Sequence, residues 1–450
     1  MKIYLETYGC QMNEYDSELV RSILTGHKHE FTPSLDHAEV VLLNTCAIRE
    51  HAHEKIFYLL DHLKGRKRRQ KDLVVGVLGC MAQSLRKEIT ERAPYVDIVA
   101  GPDSYKRLPM LIAATRNHAE QAYDFSLSEF ETYSDIAPQR LPGVNAWIAI
   151  MRGCDNFCTF CVVPYTRGRE RSRELHNVVL EAERVAAEGF KQITLLGQNV
   201  NSYRNDAHDF ADLMQAVSEV EGIQRVRFTS PHPKDFPRKL LHTMADNPKL
   251  CKHIHLPLQA GSDAVLERMN RTYTKQEFLD LVAEIRALMP EVSLTTDIIC
   301  GFCGETDEDF EQTLEVVRKV GFDSAFTFKY SERKNTMASR QFPDDVAEEV
   351  KQERLLRLTQ LQKEITHERN VAELGKVYEA LVEAPSKKDG NQWLGRTDHF
   401  KPVVFSGNVQ AGDLVKVRIE AHGSNTLMGA LVHDYRQRLK IYQEAEACCA

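Results

Sequence analysis

Six cysteines in this chain are spaced to hold metal. Cys154, Cys158 and Cys161 lie in one loop as C-x3-C-x2-C. Thiolates are the usual ligands of iron–sulfur clusters, and full ligation takes four. Three thiolates leave one iron open, the mark of a reactive rather than a structural metal site. A structural zinc with a distant fourth ligand is the competing reading, although zinc sites usually pair C-x2-C units. Cys10, Cys46 and Cys80 come from three separate places. Each follows a strand-like segment (4–8, 40–45 and 74–79) and precedes a helical pattern. In a parallel sheet all three would gather at the carboxyl edge, where such folds bind ligands. A helix N-terminus there favours thiolate and cluster charge. The alternative is three buried cysteines, a common fate of the free thiol.

Other residues could surround these thiols. Gln198 and Asn199, Ser230, Gln259, and Asp297 with Ile299 follow successive strand candidates. The carboxyl face of a (β/α) barrel is where active sites assemble. Cys300 and Cys303 form a further C-x2-C, read as a small apolar residue and a loop substitution. The net charge of −7 gives no support for nucleic-acid binding, but local charge does. Lys64, Arg66, Lys67, Arg68, Arg69 and Lys71 crowd one run, and Arg167, Arg169, Arg171 and Arg173 alternate along another. On an extended backbone those four would point to one side. A solvated surface is the bland alternative for each run.

The elements that must position these residues fall into three rhythms. Strand candidates 3–7, 40–44 and 73–78 alternate with helical patterns 14–24, 49–64 and 81–92, which implies a parallel sheet. Residues 117–139 show little periodicity and read as a linker. From 140 to 372 six strand candidates (147–151, 193–196, 226–229, 253–257, 294–299 and 325–330) alternate with helices, as in a partial (β/α)6 barrel. A long charged helix follows over 346–372. Residues 373–436 change to five short strands (377–382, 392–396, 402–405, 414–420 and 427–432), the pattern of a small all-β, OB-like barrel. Such barrels often bind single-stranded nucleic acid, and Arg396 and Lys401 are its candidate RNA contacts. Residues 437–450 form a tail ending Cys448-Cys449-Ala450. The fold class is therefore α/β with a small C-terminal β-barrel, and the first domain spans 1–116.

The Cys154 loop resembles the signature of radical S-adenosylmethionine enzymes. The resemblance implies that the open iron binds S-adenosylmethionine and that cleavage gives a 5′-deoxyadenosyl radical. It places Phe160 beside the cofactor. Together with the second cysteine set, the chain from about 1 to 436 resembles the radical methylthiotransferases, whose C-terminal barrel is a TRAM domain. Tyr8-Gly9-Cys10-Gln11-Met12-Asn13, Asn44-Thr45-Cys46-Ala47-Ile48-Arg49-Glu50, Gly79-Cys80-Met81-Ala82-Gln83 and the stretch from Val162 to Glu170 resemble the branch acting on isopentenyladenosine in tRNA. A sister branch acts on threonylcarbamoyl-adenosine.

The resemblance implies two [4Fe-4S] clusters, on Cys10, Cys46 and Cys80 and on Cys154, Cys158 and Cys161. It implies S-adenosylmethionine as both methyl donor and radical source. Conversion of N6-isopentenyladenosine at position 37 to its 2-methylthio derivative follows. The partners expected are the tRNA anticodon stem-loop, a sulfur donor and a flavodoxin- or ferredoxin-like reductant. The family pattern has an aliphatic residue and proline where Cys300 and Cys303 stand. A non-catalytic RNA-binding protein with structural metal is the reading from another class.

No apolar run approaches the roughly 18 residues that span a bilayer, and the N-terminus lacks a signal-peptide pattern. A cytoplasmic monomer is the expectation. In a reducing compartment the 11 cysteines are better read as ligands or reactive groups than as disulfides.

Overall fold

In the computed structural model, residues 1–47, 50–118 and 121–432 are described. Ile48, Arg49, the pair 119–120 and 433–450, with Cys448 and Cys449, lie outside the described residues. The N-terminal body is a six-stranded parallel sheet in the spatial order Glu30–Phe31, Lys2–Tyr8, Val40–Thr45, Val74–Gly79, Ile98–Ala100, Ala122–Asp124. The strands Val40–Thr45 and Val74–Gly79 are buried along their whole length. Their near-continuous apolar sequence is what a parallel sheet covered on both faces requires. Val40, Leu42, Val74 and Leu78 pack on one side with Tyr15 and Leu19 of helix Gln11–Gly26. Val41, Leu43, Val75 and Val77 pack on the other with Ile56 and Leu60 of helix Glu50–Arg69. Each such side chain contributes about 1.5–3 kcal/mol by leaving water.

Two expectations change here. The pattern over 81–92 is two helices, Cys80–Ser84 and Arg86–Arg92, because Leu85 leaves helical geometry at φ −107°, ψ 23°. The stretch 117–139 is not a plain linker. Ala122–Asp124 closes the sheet edge against Ile98–Ala100, and Tyr133 is fully buried with its hydroxyl donating to Pro102 O at 2.9 Å. Three-residue strands are too short to show a period.

The middle of the chain holds six parallel barrel strands in two sheets. Arg225–Phe228, Gln192–Leu196 and Asn145–Ala149 make one; His253–His255, Ser293–Cys300 and Ser324–Lys329 make the other. Ile193, Leu195, Val226 and Ile298 face the outer helices in one large core. The alternate residues face inward and are mostly polar. Gln192 and Thr194 both donate to Asn145 Oδ1, and Arg227 Nε donates to Gln192 Oε1. Helix Glu348–Val371 then packs on the outer side of Ser324–Lys329, where Thr327 and Thr359 hydroxyls meet at 3.1 Å.

The last five strands, Val377–Pro385, Gln392–Thr397, Pro402–Ser406, Leu414–His422 and Leu427–Leu431, form a closed barrel around Val382, Phe405, Val417 and Ile419. This small barrel docks on the amino end of the larger one. Arg225 donates to the carbonyls of Arg396 and Glu379, and Arg227 to those of Asp398 and Thr397. Among the described residues no helix is long and apolar enough to cross a membrane.

Candidate metal centres

The first three cysteines are brought together by strand register. Tyr8 pairs with Thr45 and Thr45 with Gly79, so the strands preceding Cys10, Cys46 and Cys80 end level. The Cys46 amide donates to Tyr8 O at 2.9 Å. Gly9 is required by this approach, since a Cβ there would stand 2.7 Å from Cys46 Cβ and 2.7 Å from Asn13 Oδ1. Gly79 has φ +87°, and a Cβ would meet Asn44 Oδ1 at 2.4 Å. Asn13 and Asn44 are locked by mutual hydrogen bonds, and the Cys10 thiol donates to Asn13 Oδ1 at 3.3 Å. Cys10 caps helix Gln11–Gly26, and Cys80 opens helix Cys80–Ser84.

The second triad lies past the first barrel strand. Thr159 pins the loop, its hydroxyl donating to Arg268 O at 2.8 Å and its amide to Met269 O at 3.0 Å. Asn270 Nδ2 donates to the carbonyls of Asn156 and Phe157. Phe157 sits at φ 47°. Ser230 and Gln259, at the ends of the third and fourth strands, also have positive φ, 60° and 65°. Non-glycine residues in this region cost of order 1–3 kcal/mol and cluster at functional sites.

The loops that carry the two triads pack against each other. Helix Cys80–Ser84 packs on helix Val163–Arg167, which directly follows Cys161. Ala47, Cys80 and Val162 form a buried apolar contact between the loops. Arg167 Nε donates to Cys80 Sγ at 3.2 Å, and its Nη2 bonds Asp16 at 2.8 Å. Asp16 is completely buried and also takes Arg152 Nη2 at 2.7 Å. Burial alone would raise the Asp16 carboxyl, but Arg152 and Arg167 hold it below its ordinary value.

The thiols differ in charge preference. Cys10 is held down to about 6 by its bond with Cys46, by Arg167 and by the helix amides, against burial. Burial pushes Cys80 up, and Cys154 and Cys161 up to about 12. A bound cation inverts that logic, because a coordinating thiol is deprotonated outright. The site carries cationic donors for such sulfur: Arg167 at Cys80, and Arg271 Nη1 donating to Cys158 Sγ at 3.2 Å. Arg167 Nη1 is buried with no partner among the described residues. No three His, Cys, Asp or Glu side chains among the described residues converge on a single-ion site. Two sets of three thiols with guanidinium donors fit a polynuclear, anionic iron–sulfur group.

The expected cofactor residues divide. Gln259 bridges Asp297 O and the Ile299 amide through its backbone, both at 2.9 Å, which gathers these three. Ser230 O accepts the Val200 amide next to Asn199. Asn199 is buried, and its Oδ1 has no hydrogen-bond partner among the described residues. Phe160 packs edge-on against Phe302 at 6.5 Å. Gln198 instead holds the metal loop, accepting the Gly153 amide at 2.6 Å. Cys300 and Cys303 are both buried in the barrel core.

The arginine series is corrected. Arg167 ends a helix and is buried; Arg171 pairs with Asp103 and Arg173 with Glu181, also buried. Only Arg169 of the four reaches solvent, 67% exposed, with its Nε paired to the exposed Asp155 Oδ1 at 3.0 Å. Arg396 is taken by Glu383, and Lys401 by Asp323 and Glu373, which tie the small barrel to the large one. Asp16, Asp103 and Asp323 lie far away in sequence, so spacing could not reveal those pairs, whereas Glu181 and Glu383 stand 8 and 13 residues from Arg173 and Arg396. The run at the end of helix Glu50–Arg69 is partly structural too: Arg66 donates to the carbonyls of Leu35, Asp36 and Ala38, and Lys67 pairs with Asp97. Asp16 and Arg271 escaped sequence reading for the same reason.

A parallel sheet and a partial barrel whose cysteine-bearing loops pack together, followed by a small β-barrel, define a radical S-adenosylmethionine class with an auxiliary metal domain. Residues 148–317 match the radical SAM superfamily, 371–432 the TRAM domain, and 2–101 the model described as Uncharacterized protein family UPF0004. The fold is similar to a radical S-adenosylmethionine methyltransferase, TsrM, from Kitasatospora setae, with TM-score 0.54 and 14% identity over 73% of this chain and 74% of that one. It is also similar to the cobalamin-dependent radical enzyme OxsB, with TM-score 0.54 and 12% identity over 81% of this chain and 56% of that one. Among relatives, the tRNA-2-methylthio-N(6)-dimethylallyladenosine synthase of Porphyromonas gingivalis is 46% identical over 96% of this chain and 95% of its own. That of Chlorobium luteolum is 48% identical over 95% and 97%. The chain belongs to the family of tRNA-2-methylthio-N(6)-dimethylallyladenosine synthases.

Proposed function

We propose that this protein methylthiolates tRNA, converting N6-isopentenyladenosine beside the anticodon to 2-methylthio-N6-isopentenyladenosine. The packing of the two thiol-bearing loops at the Cys80–Val162 contact carries this reading. Sulfur insertion at an unactivated C–H bond needs a sulfur-bearing centre and a radical source within reach of one atom. Cys10, Cys46 and Cys80 would hold one [4Fe-4S] cluster and Cys154, Cys158 and Cys161 the other. Such clusters, with S-adenosylmethionine at the second, supply the radical and methyl-transfer chemistry, and the protein supplies position and exclusion of water.

Within that division, Arg167 and Arg271 neutralise the thiolates of Cys80 and Cys158. Phe160, Asn199, Ser230, Gln259 and Ile299 form the cofactor wall, while Gln198 fixes the loop. Arg169 meets RNA phosphate, and the TRAM-like barrel, 373–436, adds its surface. A small redox protein as reductant, a separate sulfur donor and a monomeric, cytoplasmic state complete the proposal.

The test is mass spectrometry of nucleosides from isopentenylated tRNA incubated with reduced, cluster-loaded protein and S-adenosylmethionine. Appearance of the 2-methylthio nucleoside is expected. Its absence, with methylthiolation of threonylcarbamoyl-adenosine instead, would overturn the substrate assignment.

A further inference from the structure

Strand Ser324–Lys329 has one face on helix Glu348–Val371. Its other face turns into the barrel and carries Phe326 and Phe328, which are 57% and 44% exposed. Large exposed aromatic rings on an inward strand face are informative, whereas scattered surface leucines are not. Register places Phe326 beside Asp297 and Phe328 beside Ile299. Asp297 Oδ2 stands 3.2 Å from His255 Nε2, and the His255 ring lies 6.2 Å from Phe326. The floor is supplied by the small barrel. Phe400, at φ 67°, stacks on His253 at 4.8 Å and 25°, with the guanidiniums of Arg227 and Arg396 4.9 and 4.4 Å from its ring centroid. His253 and His255 share the Thr295 hydroxyl. The open wall therefore runs from the docked small barrel along the inward residues of strand Ser293–Cys300, with Phe326 and Phe328 beside them.

We infer that this wall seats the target nucleobase, with Phe326 and Phe328 receiving its isopentenyl group and Asp297 accepting the remaining N6 hydrogen. The inference rests on the tRNA methylthiolation reading and deepens it. An N6-isopentenyl adenine presents one N–H donor beside a short apolar branch, and the wall presents one carboxylate beside two open phenyl rings. A threonylcarbamoyl substituent brings its own carboxylate, which Asp297 repels and the phenyl rings leave unsolvated. One added methylene in a hydrophobic site is worth about 10–200-fold in discrimination.

The test uses full-length, cluster-loaded protein and synthetic anticodon stem-loops carrying adenosine, isopentenyladenosine or threonylcarbamoyl-adenosine. Affinity is read by fluorescence anisotropy and turnover by mass spectrometry, with Phe326→Ala, Phe328→Ala and Asp297→Asn. Wild-type protein is expected to prefer the isopentenyl loop to the adenosine loop by at least about tenfold. The phenylalanine variants should lose most of that preference through KM. Their affinity for the adenosine loop, melting temperature and cluster EPR signals should stay at the wild-type level. Asp297→Asn should weaken rejection of the threonylcarbamoyl loop. Equal preference in wild type and both phenylalanine variants, or no preference in wild type, overturns the pocket while leaving methylthiolation standing. Turnover of the threonylcarbamoyl loop alone by wild type would instead sink the reading it rests on.

Discussion

Arg167 Nε lies 3.2 Å from Cys80 Sγ, so a barrel residue donates a charged hydrogen bond to a thiol of the N-terminal domain. The same guanidinium holds Asp16 of helix Gln11–Gly26. Hydrogen bonds to cluster sulfur raise its reduction potential. Arg167→Gln is expected to lower the midpoint potential of the Cys10/Cys46/Cys80 cluster, read by redox-titrated EPR, and to leave the other cluster unmoved. It also breaks a buried ion pair, which costs about 3–5 kcal/mol, visible in denaturant unfolding. An unchanged potential would show that Arg167 only joins the two bodies.

Removing one triad should halve the metal. Wild-type protein reconstituted without oxygen is expected to hold about eight irons and eight sulfides per chain, two four-iron clusters. Cys10→Ala with Cys46→Ala should leave about four, and so should Cys154→Ala with Cys158→Ala. Zinc with little iron in the wild type would favour the RNA-binding protein with structural metal.

Arg169 is the solvent-exposed member of its series, and Lys401 is spent on Asp323 and Glu373. Arg169→Ala should therefore weaken binding of tRNA and reduce the log–log salt slope by about 0.7, one phosphate on a single-stranded loop. Lys401→Ala should cost about 2 kcal/mol at the junction of the two barrels. Hydrogen exchange would locate that loss at strands Gln392–Thr397 and Pro402–Ser406. A salt slope unmoved by Arg169→Ala would remove it from the RNA surface.

His232 is buried, and burial with Arg271 and Lys234 pushes its imidazole down to about 3. The unfolded chain binds the proton near the ordinary value of about 6.5. The folded state therefore takes up fewer protons. The associated stability is complete above about pH 6.5 and is lost as pH falls towards 3. His232→Asn keeps an acceptor for the Lys234 amide, which His232 Nδ1 now receives at 3.3 Å. Its unfolding midpoint should fall less steeply than the wild type's between pH 6.5 and 4, and parallel curves would contradict the burial argument.

The sequence by itself determined whatever is local or periodic. The Cys154 loop is a short run of chain, and the cysteines at 10, 46 and 80 are marked by the strands before them. The five short strands of the last barrel and the six of the larger one show in their hydrophobic rhythm. Only the tertiary structure decided the fate of the charges. Arg167, Arg171 and Arg173 looked like one RNA-facing row, yet each ends on a buried carboxylate, Asp16, Asp103 or Glu181. Lys401 likewise became a clamp. Phe326 and Phe328 alternate as core residues would, but the partial barrel leaves their inward face open. An ion pair or an open wall is a relation between distant segments, and its free energy depends on the partner and on desolvation. No spacing along one chain encodes either, which is why the thiols were legible and their arginines were not.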